Sequence, residues 1–273
     1  MMTGFKGKVA LITGASMGIG ESTALHFASL GCSLSLMARN KGALDNVARA
    51  CFANGLSSDK VLVLPGDITI DEDVATVVEK TMQHFGKIDI LVNNAGIWME
   101  GYTDTVTMGQ FDSVWNVNLR GPLCVMRHAL PHLRQTKGTI VNVSSCAALT
   151  VGTMMKREKM EKKAMTVSIR RYDRKTKAYV DVQKPNLNRI PGVINTAFWT
   201  QPGDNLEERK EFLEKTAVRA HPLGRVGTPK EVASCIAFLA SDDASFVTGI
   251  TMVVDGGLKL TSGLAVPTPC HND

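Results

Sequence analysis

The chain has 273 residues, 44% hydrophobic and 21% charged, which suits one large α/β domain with a full core and excludes a fibrous or disordered composition. Its formal net charge of +5 is misleading as a global figure, because residues 156–190 hold twelve Lys and Arg against four Asp and Glu, leaving −3 for the rest. Met1 to Lys8 has no apolar core, and Val9-Ala10-Leu11-Ile12 is too short for a signal peptide or membrane span, so a cytoplasmic protein without a membrane role is expected.

In chain order, apolar strand-like runs alternate with helix-period stretches, the pattern of a parallel sheet covered on both faces. Lys8 to Thr13 reads as a strand, followed by a helix from Gly18 to Leu30. Leu34 to Ala38 is a second strand, and the helix from Lys41 to Phe52 stops before Asn54-Gly55. Val61 to Leu64 is a third strand. Asp71 then opens a helix that Gly86 stops behind Phe85. Ile88 to Val92 is the fourth strand, Met108 to Leu133 a long helical region, and Thr139 to Val143 a fifth, β-branched strand. After Pro191 a helix from Pro229 to Leu239 follows the N-cap Thr228, and Ile250 to Val254 closes the series. The tail from Leu258 to Asp273 has no assigned element. The fold class is therefore α/β, a doubly wound parallel sheet of Rossmann type, with residues 1–273 forming a single domain.

Between Met154 and Ile190 the alternation breaks. Met165 to Tyr172 and Ala178 to Gln183 alternate apolar and polar side chains around a charged turn, Asp173-Arg174-Lys175-Thr176, and predict a β-hairpin. Lys156 to Lys163 is mostly charged and should be exposed. This basic segment at about 156–190 is compatible with phosphate contacts, but it has no aromatic platform, so a solvated loop is favoured over nucleic-acid binding. Cys32, Cys51, Cys124, Cys146, Cys235 and Cys270 show no paired C-x-x-C spacing and read as reduced thiols. His26, His128 and His132 read as surface or half-buried helix residues, and no metal centre is expected.

Thr13-Gly14-Ala15-Ser16-Met17-Gly18-Ile19-Gly20 stands between the first strand and the first helix. Glycines there permit a tight turn and close approach of a ligand, while the helix N-terminus offers N–H groups and partial positive charge to a pyrophosphate. A merely tight turn is the bland alternative. With Asn93-Asn94-Ala95-Gly96, Asn116-Val117-Asn118-Leu119, Ile140-Val141-Asn142-Val143-Ser144-Ser145, Pro191-Gly192, Pro222-Leu223-Gly224-Arg225 and Val254-Asp255-Gly256-Gly257, the sequence resembles the short-chain dehydrogenase/reductase family over about 6–155 and 190–257.

That resemblance implies hydride transfer between a nicotinamide cofactor and a small alcohol or carbonyl substrate, in a homo-oligomer. It places Gly14, Ser16, Met17, Gly18, Ile19 and Gly20 at the pyrophosphate, and Asp67 and Ile68 at the adenine. Asn94, Ala95 and Gly96 fall on the adenosine side, with Ile194 and Thr196 at the nicotinamide end. The second strand ends in Ala38-Arg39-Asn40 with no acid at the turn, and Arg39 is either a solvated helix-start residue or the partner of a 2′-phosphate; the family context favours NADP over NAD.

For catalysis the family uses an Asn-Ser-Tyr-Lys set, of which Asn118 and Ser145 match by position. The alternative for Ser145 is a strand-end hydroxyl bonded to local backbone. The tyrosine should follow Ser145 by about a dozen residues, where Arg157, Glu158 and Lys159 stand instead. None of Tyr102, Tyr172 and Tyr179 has a lysine four residues on: those positions are Val106, Thr176 and Gln183. Lys162-Lys163-Ala164 faintly resembles the family's Ser-Lys-Ala. The expected function is thus an NADP(H)-dependent short-chain oxidoreductase lacking its Tyr-x-x-x-Lys pair. An NADP-binding scaffold or sensor without turnover is the alternative, and the replaced segment fits a spliced or misread block. Trp98, Met99, Met154, Met155, Phe198 and Trp199 are either an apolar pocket wall or packing.

Overall fold

The computed structural model describes residues 3–98, 106–145, 165–171, 194–196 and 221–258, with backbone alone for 145 and 165–171. Lys156 to Lys163, the second half of the expected hairpin, the 259–273 tail, Cys146, Cys270, and Met99, Met154, Met155, Phe198 and Trp199 lie outside them.

Seven strands form one sheet: β1 (Val9–Thr13), β2 (Ser33–Ala38), β3 (Val61–Pro65), β4 (Ile90–Asn93), β5 (Thr139–Ser145), β6 (Met165–Arg171) and β7 (Thr251–Met252), in the spatial order β3-β2-β1-β4-β5-β6-β7. β1 is buried at all five positions, as a central strand covered on both faces must be. β1 pairs in parallel with β2 and β4, β2 with β3, and β4 with β5. The sheet therefore winds outward in both directions from β1, and the switch point lies between β1 and β4.

The helices are α1 (Gly18–Ser29), α2 (Lys41–Ala53), α3 (Asp71–Phe85), α4 (Met108–Trp115), α5 (Gly121–Thr136) and α6 (Pro229–Ala240). They cover both faces. One core joins Phe27, Leu34, Leu36, Val47 and Ile236, where α1, α2 and α6 meet the sheet. The other joins Leu11, Val74, Val77, Val125 and Leu133, where α3 and α5 meet it. The sequence boundaries hold to within a residue or two, except that the helical region from Met108 runs on past Leu133 to Thr136.

Two features depart from the expectations. The long helix over Met108 to Leu133 is broken by one π-helical turn, Asn116–Arg120, between α4 and α5. Pro122 supplies the cause: it has no N–H to give the carbonyl of Asn118 four residues back, and its ring crowds that oxygen. The second departure is β6, which occupies the sixth position of the sheet but runs antiparallel, pairing Ser145 with Met165 and Thr139 with Arg171. The end of β5 and the start of β6 therefore lie side by side at one edge, whereas a parallel strand would start at the opposite edge. β7 is antiparallel to β6 and so regains the direction of β1 to β5.

The ends of the helices follow from their caps. α6 opens on a capping box in which Thr228 Oγ1 accepts from the Glu231 N–H, and the Glu231 carboxylate accepts from the Thr228 N–H at 2.8 Å. The hydrogen bonds from Arg225 and Thr228 hold the Glu231 carboxyl at about 2, well below its ordinary value. α5 ends at Lys137, whose φ of 55° puts a side-chain-bearing residue in the left-handed region. That conformation costs an L residue about 1–2 kcal/mol, so Lys137→Gly is expected to raise stability by about 0.5–1 kcal/mol once the entropy of glycine is deducted. Urea unfolding checks this, and a loss of stability would refute the strain argument.

Candidate active site

The carboxyl ends of β1 to β5 carry, in turn, Gly14, Arg39, Asp67, Asn94 and Ser145, so the topology gathers on one edge residues that lie far apart in sequence. The turn after β1 is held by Thr13 and Asn94. The Thr13 hydroxyl, fully buried, accepts from the N–H groups of Asn94 at 3.0 Å and Ala95 at 3.1 Å. Asn94 Nδ2 returns bonds to the carbonyls of Thr13 at 3.0 Å and Gly14 at 3.1 Å. Thr13 was not among the expected site residues.

This latch brings the first turn and α1 into contact that tolerates no side chain. A Cβ on Gly14, which has φ +65°, would stand 2.8 Å from Ala95 Cα. One on Gly20 would stand 2.1 Å from the Gly14 carbonyl oxygen. α1 has no side-chain N-cap, because Met17 occupies that position with extended backbone. The N–H groups of Gly18, Ile19 and Gly20 have no acceptor among the described residues, so they are left to a ligand or water. Ser16 and Met17 lie in the same turn, Met17 54% exposed. Thr196 closes over it from the other side, its Cγ2 only 3.3 Å from where a Gly18 Cβ would be. Ile194 is buried in the core and bridges in parallel to Gly227, which fixes this short piece of chain.

Arg39, at the end of β2, is exposed and has no hydrogen bond or ion pair among the described residues. The next residue, Asn40, caps α2 by accepting from the Ala43 N–H at 3.0 Å. After β3, Asp67 Oδ1 accepts from the N–H and the hydroxyl of Thr69, each at 2.8 Å. Its other carboxylate oxygen has no acceptor role among the described residues. Ile68 is buried against Gly121, where a Cβ would meet its Cγ1 at 2.8 Å.

After β4, Ala95 and Gly96 run toward Asn118 in the π turn. Asn118 Oδ1 accepts from the Ile97 N–H at 2.8 Å and its Nδ2 donates to the Ile97 carbonyl at 2.7 Å. The π turn thus aims an amide back at the loop after β4, and such turns recur at functional sites. Gly96 leaves the space: its Cβ would lie 3.4 Å from Asn118 Oδ1. Ser145 closes β5 beside Met165, on the same edge. Trp98 is buried, 8% exposed, at the end of this loop. Among the described residues, burial pushes the Cys51 thiol up to about 11 and raises Cys32 as well, which keeps both protonated.

A doubly wound sheet with a glycine turn and a bare helix N-terminus beside its switch point defines the Rossmann type of α/β protein. A family model described as enoyl-(acyl carrier protein) reductase matches residues 14–259. The 3-oxoacyl-(acyl-carrier-protein) reductase FabG of Thermotoga maritima is 37% identical over 257 residues, 93% of this chain and 99% of that protein. Meso-2,3-butanediol dehydrogenase of Serratia marcescens is 32% identical over 263 residues, 95% and 97% of the two chains. A short-chain dehydrogenase/reductase of unknown function from Caenorhabditis elegans, crystallised with cofactor, superposes with a TM-score of 0.75 at 26% identity, covering 94% of this chain and 96% of that one. The chain belongs to the short-chain dehydrogenase/reductase family, a family of oxidoreductases whose members use nicotinamide cofactors and whose dehydrogenases act on small molecules. Among the described residues no helix is long and apolar enough to cross a membrane.

Proposed function

We propose that the chain binds NADP(H) and that its site is built for hydride transfer between the nicotinamide and an alcohol or carbonyl carbon. The observation that carries this is the bare N-terminus of α1, three free N–H groups beside a turn packed too closely to admit a Cβ at Gly14 or Gly20. Those N–H groups, with the Gly14 and Ser16 backbone, hold the pyrophosphate. The unpaired oxygen of Asp67 accepts from the adenine amino group, with Ile68 beside it. Asn94, Ala95 and Gly96 floor the adenosine side, and Ile194 and Thr196 meet the nicotinamide end. The bound cofactor supplies or accepts the hydride. Ser145 orients the substrate oxygen, and Asn118 holds the loop after β4 and supports a water relay beside it.

Arg39 decides the cofactor. A guanidinium without a protein partner at the end of β2 suits a 2′-phosphate, whereas a free ribose hydroxyl calls for an acid there. Charge-assisted hydrogen bonds contribute about 1.5–3 kcal/mol, so Arg39→Asp should weaken NADPH binding about 10–100-fold and strengthen NADH. Fluorescence titration of both reduced cofactors checks it, and equal NADPH affinity in the variant would contradict the assignment. If neither cofactor binds the folded protein at millimolar concentration, the functional reading itself fails.

A second reading, an NADP-binding protein without turnover, is favoured by one observation: the sequence offers no Tyr-x-x-x-Lys pair, and the chain beyond Ser145 returns as the antiparallel strand β6. NADPH oxidation over a panel of carbonyl substrates separates the two, and turnover abolished by Ser145→Ala would exclude the second. Phe111, Trp115, Leu119 and Leu123 are exposed at four-residue intervals along α4, the π turn and α5, and form the stripe that the proposed homo-oligomer would bury.

A further inference from the structure

We infer that Asp71, Cys124 and His128 form a binding site for a zinc-class divalent cation, under the loop that follows β3. Cys124 and His128 lie one turn apart on one face of α5, and Asp71 opens α3, which packs against that face. Cys124 Sγ is 2.8 Å from Asp71 Oδ1 and His128 Nε2 is 3.4 Å from the same oxygen. All three donor atoms fall within 4.8 Å of one another. Metal–ligand bonds of about 2.0–2.3 Å in tetrahedral array need donor separations of about 3.3–3.7 Å, so side-chain adjustments of about an ångström admit the ion. Thiolate, imidazole and carboxylate together select zinc over magnesium or calcium.

Three protein ligands leave a fourth position. A cavity of about 150 Å³, walled by Ile68, Thr69 and Leu123, opens beside Asp71 and Cys124. Arg120 and Arg127 also line it. Their charge opposes the cation and weakens the site, but it favours an anion as the fourth ligand. Arg120 Nη1 donates to the Thr69 carbonyl at 3.3 Å. An ion here would tie the loop that carries Asp67 to α5, and so couples the site to the adenine side of the proposed cofactor cleft.

The Cys124 thiol donates to Asp71 Oδ1, so binding would form an S–M bond in place of the S–H bond and release that proton to solvent.

Titrating cobalt(II) and then zinc into the untagged full-length chain in chelator-stripped buffer tests this. One equivalent of cobalt should give a thiolate-to-cobalt charge-transfer band in the near ultraviolet, which zinc abolishes. Cys124→Ser should remove the band, and His128→Ala should lower zinc affinity by about 100-fold or more, beyond what loss of a supporting contact alone costs. His128→Cys should restore binding, and metal-free melting curves establish that each variant is folded. Absence of the band in the wild-type chain overturns the site, as does a band of undiminished strength in Cys124→Ser, since another of the chain's cysteines would then be its source.

Discussion

Exchange of residues 156–190 for a segment bearing a Tyr-x-x-x-Lys pair about a dozen residues after Ser145 should raise NADPH-dependent carbonyl reduction by about 10²–10⁴-fold, the usual contribution of a positioned general acid. Hydride arrival at a carbonyl carbon leaves an alkoxide that must be protonated, and a phenol next to an ammonium is a donor suited to neutral pH. Nothing at the corresponding positions replaces it. Glu158 stands near the position, but a carboxylate with glutamate's reference pKa of about 4.3 accepts protons at neutral pH and does not give them. Tyr172 and Tyr179 come too late in the chain, and catalytic geometry tolerates little displacement. Steady-state assays of the chimera and the original chain, run beside NADPH titrations of both, read the effect. Equal turnover with equal cofactor binding would show that the native chain has its own proton donor.

How much of this was legible beforehand depends on the range of the interactions. Strand and helix periods, the capping residues Asn40 and Thr228 and the stop at Gly86 are local, and β1 to β5 and α1 to α3 fall where those signals put them. The π turn at Asn116–Arg120 is written in Pro122, yet the helical pattern across Met108 to Leu133, which also runs through Pro131, gave that proline no special weight. The alternation over Met165 to Tyr172 pointed to a strand and gave a strand, but its direction and its place beside β5 depend on where the connection returns, which no local pattern encodes. The same limit hid the Asp71, Cys124 and His128 cluster. Cys124-x-x-x-His128 is visible on one helix, whereas Asp71 lies more than fifty residues away and joins them only through the packing of α3 on α5. The motif residues Gly14 and Asn94 stand out in the sequence, whereas the Thr13 hydroxyl that latches their turns together does not, because its role exists only once β1 and β4 are side by side.

That latch gives the second large effect. Gly20→Ala should abolish tight cofactor binding and destabilise the fold by about 1–3 kcal/mol, the usual range for overpacking a close contact. The added methyl would stand 2.1 Å from the Gly14 carbonyl oxygen, 2.6 Å from Asn94 Nδ2 and 2.8 Å from the Gly14 carbonyl carbon. Two of the three are backbone atoms of the turn, so no rotamer change relieves the clash and α1 must back away by about an ångström. Retreat breaks the Asn94 bond to Gly14 and carries the Gly18, Ile19 and Gly20 N–H groups out of register with a pyrophosphate, a displacement of the size that costs about 10²-fold in well-positioned sites. Helix propensity works the other way and favours alanine by about 1 kcal/mol, so any net loss measures the contact itself. Gly109→Ala on α4, where a Cβ meets nothing within 4 Å, isolates that propensity and should be neutral or stabilising. Urea unfolding and NADPH titration of the two variants decide the matter. A Gly20→Ala chain with wild-type stability and NADPH affinity within twofold would mean that α1 does not dock on the turn, and the phosphate cradle would go with it.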